Sequence, residues 1–186
     1  MCSRNLARAF VVVGAVAHAM AVLAAEPALL GAGVPTPAFG QAVAEQALEK
    51  WKITVFPDGT GLPSGSGSVN EGAGIYAMRC ASCHGPTGEG VTADRLVGGR
   101  GTLASPSPVR TVGSFWPYAT TLFDYVRRSM PYDAPKSLTS GEVYALTAYL
   151  LFLNGIVEDG TTLDAASLAK VRMPNRGGFV GAYEGQ

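Results

Sequence analysis

Two segments of the chain combine a helical pattern of apolar residues with a helix-capping pair. Apolar side chains recur at steps of three and four over residues 140–153, with Thr139 in front and Glu142 three positions later. This pair marks a helix start, because each side chain satisfies a free backbone N–H of the other residue. The same arrangement at 68–71 opens a second segment. We therefore predict helices over 68–81 and 140–153, each with one face on a core.

The other patterns are weaker and are separated by long loops. Residues 121–128 predict a short helix that ends before Met130 and its proline, since the residue before a proline disfavours helix. The 24 glycines and 12 prolines, many of them between residues 85 and 114, predict that loops outweigh sheet. The fold class is therefore all-α, with few helices. Three further patterns predict a short helix, a strand and another short helix, at 41–50, 51–56 and 161–170.

The first 25 residues have the features of a secretory signal peptide. Arg4 and Arg8 precede an apolar run from Ala9 to Ala25 that contains no acidic residue. An uncleaved membrane anchor is the alternative, because the run approaches the length that spans a bilayer. The alanine-rich end of the run favours cleavage. We expect a periplasmic mature chain with no membrane span.

Composition divides the chain and limits its partners. Loss of Arg4 and Arg8 with the signal peptide leaves 12 basic and 14 acidic residues, so the net charge becomes −2, which argues against nucleic acid as a partner. The segment directly after the signal peptide is rich in Ala, Gly and Pro. Four segments are predicted, namely a signal peptide, a flexible lead with an extended arm, a helical domain and a C-terminal extension, at 1–25, 26–67, 68–156 and 157–186.

The chemistry of the mature chain centres on its two cysteines. Cys80 and Cys83 stand with His84 in the pattern C-x-x-C-H, which is typical of covalent haem attachment. The spacing lets two sulfurs reach the two vinyl groups of one porphyrin, and the adjacent histidine becomes an axial iron ligand. A thioredoxin-like dithiol would need a βαβ context, and a zinc site would need two further ligands. One motif predicts one haem c.

A methionine is the predicted second axial ligand, because the mature chain has no other histidine. Met78 is two residues before Cys80 on the attaching helix, and Met173 lies in the tail. Met130 lies between these positions, in a loop that precedes the last strong helix. We therefore predict that Met130 is this ligand. The alternative is that a methionine beside a proline only fills space in the core. His/Met ligation favours electron transfer over catalysis.

Polar side chains in the long loop are candidates to bind the haem propionates. Trp116 and Arg100 are predicted for this role, and Tyr118 and Arg110 are further candidates. For each of them, packing or a solvated surface is the alternative.

The helix that bears CASCH, the loop methionine and the closing helix VYALTAYL resemble class I cytochromes c, over about residues 68–156. The resemblance implies the class I fold around one haem. It also implies that the first and last helices cross at small and aromatic residues, here Gly72 and Tyr76 against Leu146 and Tyr149.

A more specific resemblance extends over about residues 53–180. Stretches such as GIYAMRCASCHGPTGEG and VRMPNRGGF are similar to the cytochrome subunits of bacterial sulfite dehydrogenases and to related sulfur-oxidation cytochromes. In that family, a molybdenum-cofactor subunit oxidises sulfite and passes electrons singly to the haem subunit, which relays them to a soluble cytochrome c. The sulfur-oxidation relatives carry a second haem domain, so the single motif here favours the sulfite dehydrogenase type.

This resemblance implies a subunit that is not an enzyme on its own. Two alternatives remain open. The first is a free-standing periplasmic electron shuttle, and the second is an enzyme that acts at the haem itself, such as a peroxidase or a thiosulfate-oxidising type. The second alternative requires an open or unusual sixth iron position.

Overall fold

Short helices joined by long loops make up the chain that the computed structural model describes, which is residues 40–48 and 51–181. The described residues from Ala44 onward belong to one compact unit. The predicted signal peptide lies outside the described residues. The elements in chain order are α1 (Glu45–Leu48), β1 (Ser66–Ser68), α2 (Val69–Arg79), α3 (Ala81–His84), α4 (Ala119–Ser129), α5 (Ser140–Leu153), β2 (Thr162–Asp164) and α6 (Ala165–Leu168).

Both predicted capping boxes are present, and they start the two long helices. The Ser68 N–H donates to the Glu71 carboxylate at 2.8 Å, while the Ser68 hydroxyl accepts from the backbone N–H of Glu71. Thr139 and Glu142 make the same reciprocal pair at the start of α5. The two signals therefore position α2 and α5 as predicted.

These two helices cross at a contact between backbones. A Cβ atom on Gly72 would lie 2.0 Å from the Ala145 carbonyl oxygen and 2.8 Å from the Tyr149 Cβ. Beside this point the rings of Tyr76 and Tyr149 pack with their centroids 5.4 Å apart. The crossing thus involves Gly72, Tyr76 and Tyr149 as the resemblance implied, but Ala145 and not Leu146 makes the close backbone contact with Gly72, where only glycine fits.

Helix α4 packs on α5 and completes the core. Phe123 is fully buried against Tyr144, with ring centroids 4.5 Å apart. The predicted helix over 121–128 is confirmed and is slightly longer, since it ends where Met130 leaves the helical conformation before proline.

None of the helices in the described part of the chain is long and apolar enough to cross a bilayer.

The segments that flank the helices are attached to them. Strand β1 pairs with β2 in an antiparallel register that joins Ser66 to Asp164. Before β1, the Val55 N–H donates to the Asp124 carboxylate at 2.8 Å. After β2, the Asn175 side chain donates to the Phe115 carbonyl at 2.7 Å. Residues on both sides of the helical domain therefore contribute to its packing.

Three of the weaker secondary-structure predictions need correction. Residues 51–56 are not a strand, because the Val55 N–H is bound by a side chain of α4 instead of a neighbouring strand. The segment 161–170 is not one helix as predicted. It begins with strand β2, and Asp164 then caps the short helix α6. In the described part of 41–50, helix is confined to α1.

The carboxylates of the capping boxes predict acid sensitivity. Hydrogen bonds from Ser68 hold the pKa of Glu71 below its usual value of 4.5, and those from Thr139 do the same for Glu142. A lowered folded-state pKa stabilises the protein above the unfolded value, and this contribution is lost as the pH falls through the folded value. We expect the urea midpoint to fall on acidification from about pH 6 to about pH 3.

In the Glu71→Gln/Glu142→Gln double variant, the urea midpoint should fall less on acidification than in the wild type, because these two carboxylates no longer titrate. The exposed Glu158 lies outside both capping boxes, so Glu158→Gln serves as the matched control. Its plot of urea midpoint against pH should have the same slope as that of the wild type. Equal slopes for all three proteins would contradict the prediction.

Candidate haem-binding site

The cysteine motif lies at a bend between two helices. Cys80 lies between α2 and α3 as the C-cap of the first and the N-cap of the second, and its N–H donates to the Tyr76 carbonyl at 2.9 Å. His84 is the last residue of α3, and its N–H donates to the Cys80 carbonyl at 3.0 Å. One short helical turn therefore holds both cysteines and the histidine on the wall of a single cavity.

This cavity has a volume of about 800 Å³ and lies among α2, α3, α4, α5 and the long loop. Its size is within the roughly 300–1,000 Å³ that is common for sites that bind small molecules and cofactors. Predicted site residues that line it are Cys80, Cys83, His84, Trp116 and Met130, together with Arg110. Its apolar wall includes Val112, Leu122, Val126, Leu146 and Leu150.

The ring of His84 is oriented by a backbone carbonyl. Its Nδ1 lies 2.7 Å from the Asp94 carbonyl oxygen. A carbonyl oxygen only accepts, so Nδ1 carries the proton and the lone pair of the neutral ring is on Nε2. This is the tautomer that a metal ligand requires, with the second nitrogen bound to an orienting partner.

The loop that supplies this carbonyl is held by backbone hydrogen bonds. The N–H groups of residues 91, 92 and 93 all point to the Cys83 carbonyl, at 3.2, 3.1 and 3.0 Å, and the Gly90 N–H donates to the His84 carbonyl at 2.7 Å. The chain turns into this loop at Gly85, where φ is +83°. These backbone hydrogen bonds place Asp94 beside the imidazole.

The two cysteines lie in different surroundings. Cys80 is half-buried, whereas Cys83 is exposed. Burial raises the pKa of the Cys80 thiol to about 11, so that this thiol is neutral at physiological pH. A redox-active dithiol needs a thiol whose pKa is lowered, which is the opposite shift. Two cysteines and the adjacent histidine on the wall of a largely apolar cavity fit covalent haem attachment.

The three candidate methionines lie in different places. Met130 follows α4, is half-buried, and lines the cavity from an element other than the one that carries the cysteines. Met173 is 3% exposed in the core and does not line the cavity. Met78 is 77% exposed at the cavity's edge on α2. This placement favours Met130 as the partner of His84.

The polar candidates are divided by the structure. Trp116 and Arg110 line the cavity, but Arg100 does not, because its guanidinium donates to the Asn154 carbonyl at 2.8 Å. Tyr118 is also outside the lining and packs under the Arg176 guanidinium at 4.3 Å. The structure thus places Arg100 outside the lining of the cavity, and a propionate contact of Arg100 stays a prediction.

Sequence reasoning missed several residues of the site. Arg95 lines the cavity, with its Nε donating to the Glu89 carbonyl at 3.1 Å. Arg79 and Tyr76 also line it. The position of Arg79, directly before the first cysteine, was an available signal for a place at the cavity.

The Tyr76 hydroxyl donates to the Gly85 carbonyl at 2.8 Å, which ties the middle of α2 to the end of the haem motif. Burial raises the pKa of Tyr76 to about 12, so the donor stays protonated at physiological pH. We expect Tyr76→Phe to lower the free energy of unfolding by about 0.5–1.5 kcal/mol, because the Gly85 carbonyl then keeps only its hydrogen bond from the Gly88 N–H. Urea denaturation of the haem-loaded protein measures the change.

Tyr149→Phe is the matched control, since it removes a hydroxyl from the same aromatic pair without touching Gly85. Equal destabilisation by both variants would show that the Gly85 bond is not the cause.

Two comparisons bear on this site. Residues 67–150 match a family model described as cytochrome C oxidase, cbb3-type, subunit III. The chain is also similar to a chain in the crystal structure of the sulfane dehydrogenase SoxCD from Paracoccus pantotrophus, with 42% sequence identity and a TM-score of 0.75. This match covers 81% of the present chain and 74% of that one.

Proposed function

The chain is a class I c-type cytochrome, and from this membership we propose that it carries one covalently bound haem c and transfers single electrons during the oxidation of a sulfur compound. The observation that carries the proposal is the cavity on which Cys80, Cys83, His84 and Met130 meet. The two cysteines would hold the haem through thioether bonds, and His84 Nε2 and the Met130 sulfur would be the axial ligands.

The chain's own residues determine how such a site works. When bound, the haem supplies an iron that alternates between two oxidation states one electron apart. The Asp94 carbonyl keeps the His84 proton on Nδ1, which fixes the ring and increases its basicity as a ligand. As an iron ligand, the Met130 thioether would favour the reduced state and would leave no open position for substrate.

The polar and apolar walls have separate roles in the proposal. Val112, Leu122 and Leu146 exclude water from the cavity. Arg95 and Arg110 line the same cavity, and we propose them, with Trp116, as partners of the haem propionates. An arginine suits this role because its planar guanidinium binds carboxylates with two parallel hydrogen bonds.

We further propose that the electrons come from a molybdenum-cofactor subunit that oxidises sulfite, and that a soluble cytochrome c accepts them in the periplasm. The sequence resemblance supports this partner, and the signal peptide predicted over residues 1–25 supports the location. The similarity to a chain of a sulfane dehydrogenase makes sulfane sulfur the second candidate substrate of the partner. In both cases this chain transfers electrons and is not itself the catalyst.

The test is purification of the complex from its native host, followed by metal analysis and by assays of haem reduction. We expect molybdenum to copurify and the haem α-band to appear on addition of sulfite. Reduction by a sulfane-sulfur substrate but not by sulfite would select the second candidate. The isolated cytochrome is the control and should not be reduced by either substrate.

Two outcomes would contradict the proposal. A cytochrome that elutes alone at its monomer mass, without molybdenum, would identify a free periplasmic shuttle. Rapid binding of carbon monoxide by the reduced protein would mean that the sixth position is open and that Met130 is misassigned.

A further inference from the structure

A hydrogen bond links the helix that carries the cysteines to the loop that carries Met130. The Arg79 guanidinium, directly before Cys80, donates to the Ser137 hydroxyl at 2.9 Å, across 58 positions of sequence. The loop in question covers residues 130–139, between the end of α4 and the start of α5. The two residues thus join the walls of the cavity that bear the predicted attachment site and the predicted methionine ligand.

The backbone next to this bond has an uncommon conformation. Lys136, immediately before Ser137, has φ of +65°, the left-handed region that side chains other than glycine disfavour. Such a conformation persists only where surrounding contacts hold it. Within the loop, the Ala134 N–H donates to the Pro131 carbonyl and the Ser137 N–H to the Ala134 carbonyl, at 3.0 and 3.3 Å. The loop is therefore a folded turn, and the Arg79 bond attaches its far end to α2.

We propose that Arg79 and Ser137 are positioning residues that keep the loop closed and so hold the Met130 sulfur on the iron. This inference rests on the proposed ligation by Met130. Opening of the loop would move Met130 away from the cavity, and the bond between Arg79 and Ser137 opposes that movement. Neither residue needs to touch the iron for this effect.

A simpler role for Arg79 has to be separated from this one. A cation in the last turn of a helix stabilises it through the helix dipole, and Arg79 is the basic residue in the last turn of α2. Arg79 also lies near the capping carboxylate of Glu142, whose pKa is lowered mainly by its hydrogen bonds with Thr139 and to a smaller extent by Arg79. Removal of Ser137 leaves the charge of Arg79 in place, so Ser137 variants distinguish the two roles.

The experiment measures how often the loop opens in the oxidised, haem-loaded protein. Imidazole binds the iron only after the methionine has left, so the limiting rate at high imidazole concentration reports opening. We expect Ser137→Ala and Arg79→Ala each to raise this rate by about fivefold, which corresponds to loss of one ordinary hydrogen bond. The double variant should be no faster than either single variant, because both remove the same bond.

Matched variants complete the test. Ser137→Thr keeps the hydroxyl and should retain the wild-type rate, and Arg172→Ala removes an exposed arginine elsewhere and should do the same. Far-UV circular dichroism checks that each variant is folded. A rate within about 1.5-fold of wild type for Ser137→Ala would overturn the inference, even if Arg79→Ala opens faster. A wild-type protein without a methionine-to-iron absorption band would instead overturn the proposed ligation, and the inference with it.

Discussion

Replacement of Gly72 by alanine is expected to lower the free energy of unfolding by about 3 kcal/mol or more, the upper range for an overpacked core. The added methyl group would lie 2.0 Å from the Ala145 carbonyl oxygen and 2.6 Å from its carbon. Both are backbone atoms of α5, so no side-chain rotation relieves the overlap and the two helices must separate. Urea denaturation of the haem-loaded variant measures the loss.

Gly74 supplies a control in the same helix. A Cβ at Gly74 meets nothing within 4 Å, so Gly74→Ala adds the same methyl group without a clash. Because alanine is the better helix former, we expect this variant to be more stable than the wild type by up to about 1 kcal/mol. Similar destabilisation by both substitutions would show that the crossing of α2 and α5 is not as close as the structure indicates.

Substitution of Met130 by alanine is expected to abolish the sulfur-to-iron charge-transfer band of the oxidised protein at about 695 nm. The midpoint potential should fall as well, because loss of the thioether removes the ligand that favours ferrous iron. Visible spectroscopy and potentiometric titration measure the two effects. The reduced variant should also bind carbon monoxide rapidly, since the sixth position is then open.

Met173→Leu is the control for this prediction. Met173 is buried in the core, so a side chain of similar volume should be tolerated at a cost below about 1.5 kcal/mol, with the band unchanged. Loss of the band in Met173→Leu, together with its persistence in Met130→Ala, would transfer the ligand role to Met173.

The parts of the fold that the sequence predicted are those with a local cause. Each capping box needs only residues three positions apart, and both helices begin where Ser68 and Thr139 place them. The strand predicted over 51–56 was wrong for a non-local reason, because its backbone is bound by Asp124, 69 positions from Val55. No pattern within residues 51–56 encodes that partner.

The site shows the same division. The C-x-x-C-H spacing identified three residues that line one cavity, because a short helical turn brings them together. The orienting partner of His84 is a main-chain carbonyl, and any residue type at position 94 could provide it. Arg100 and Arg95 are both loop arginines, and only the folded loop shows that Arg95 is the one that reaches the cavity.

The pairing of β1 with β2 brings together the two ends of the segment 66–164, which thus forms a closed ring. Ser66 and Asp164 are opposite each other, and every residue proposed to hold the haem lies between them in sequence. The entry and exit of this ring are therefore neighbours, which is the arrangement that tolerates circular permutation. A permuted domain would have to keep the flanking segments as well, because Val55 before the ring and Leu168 and Met173 after it are buried in the core.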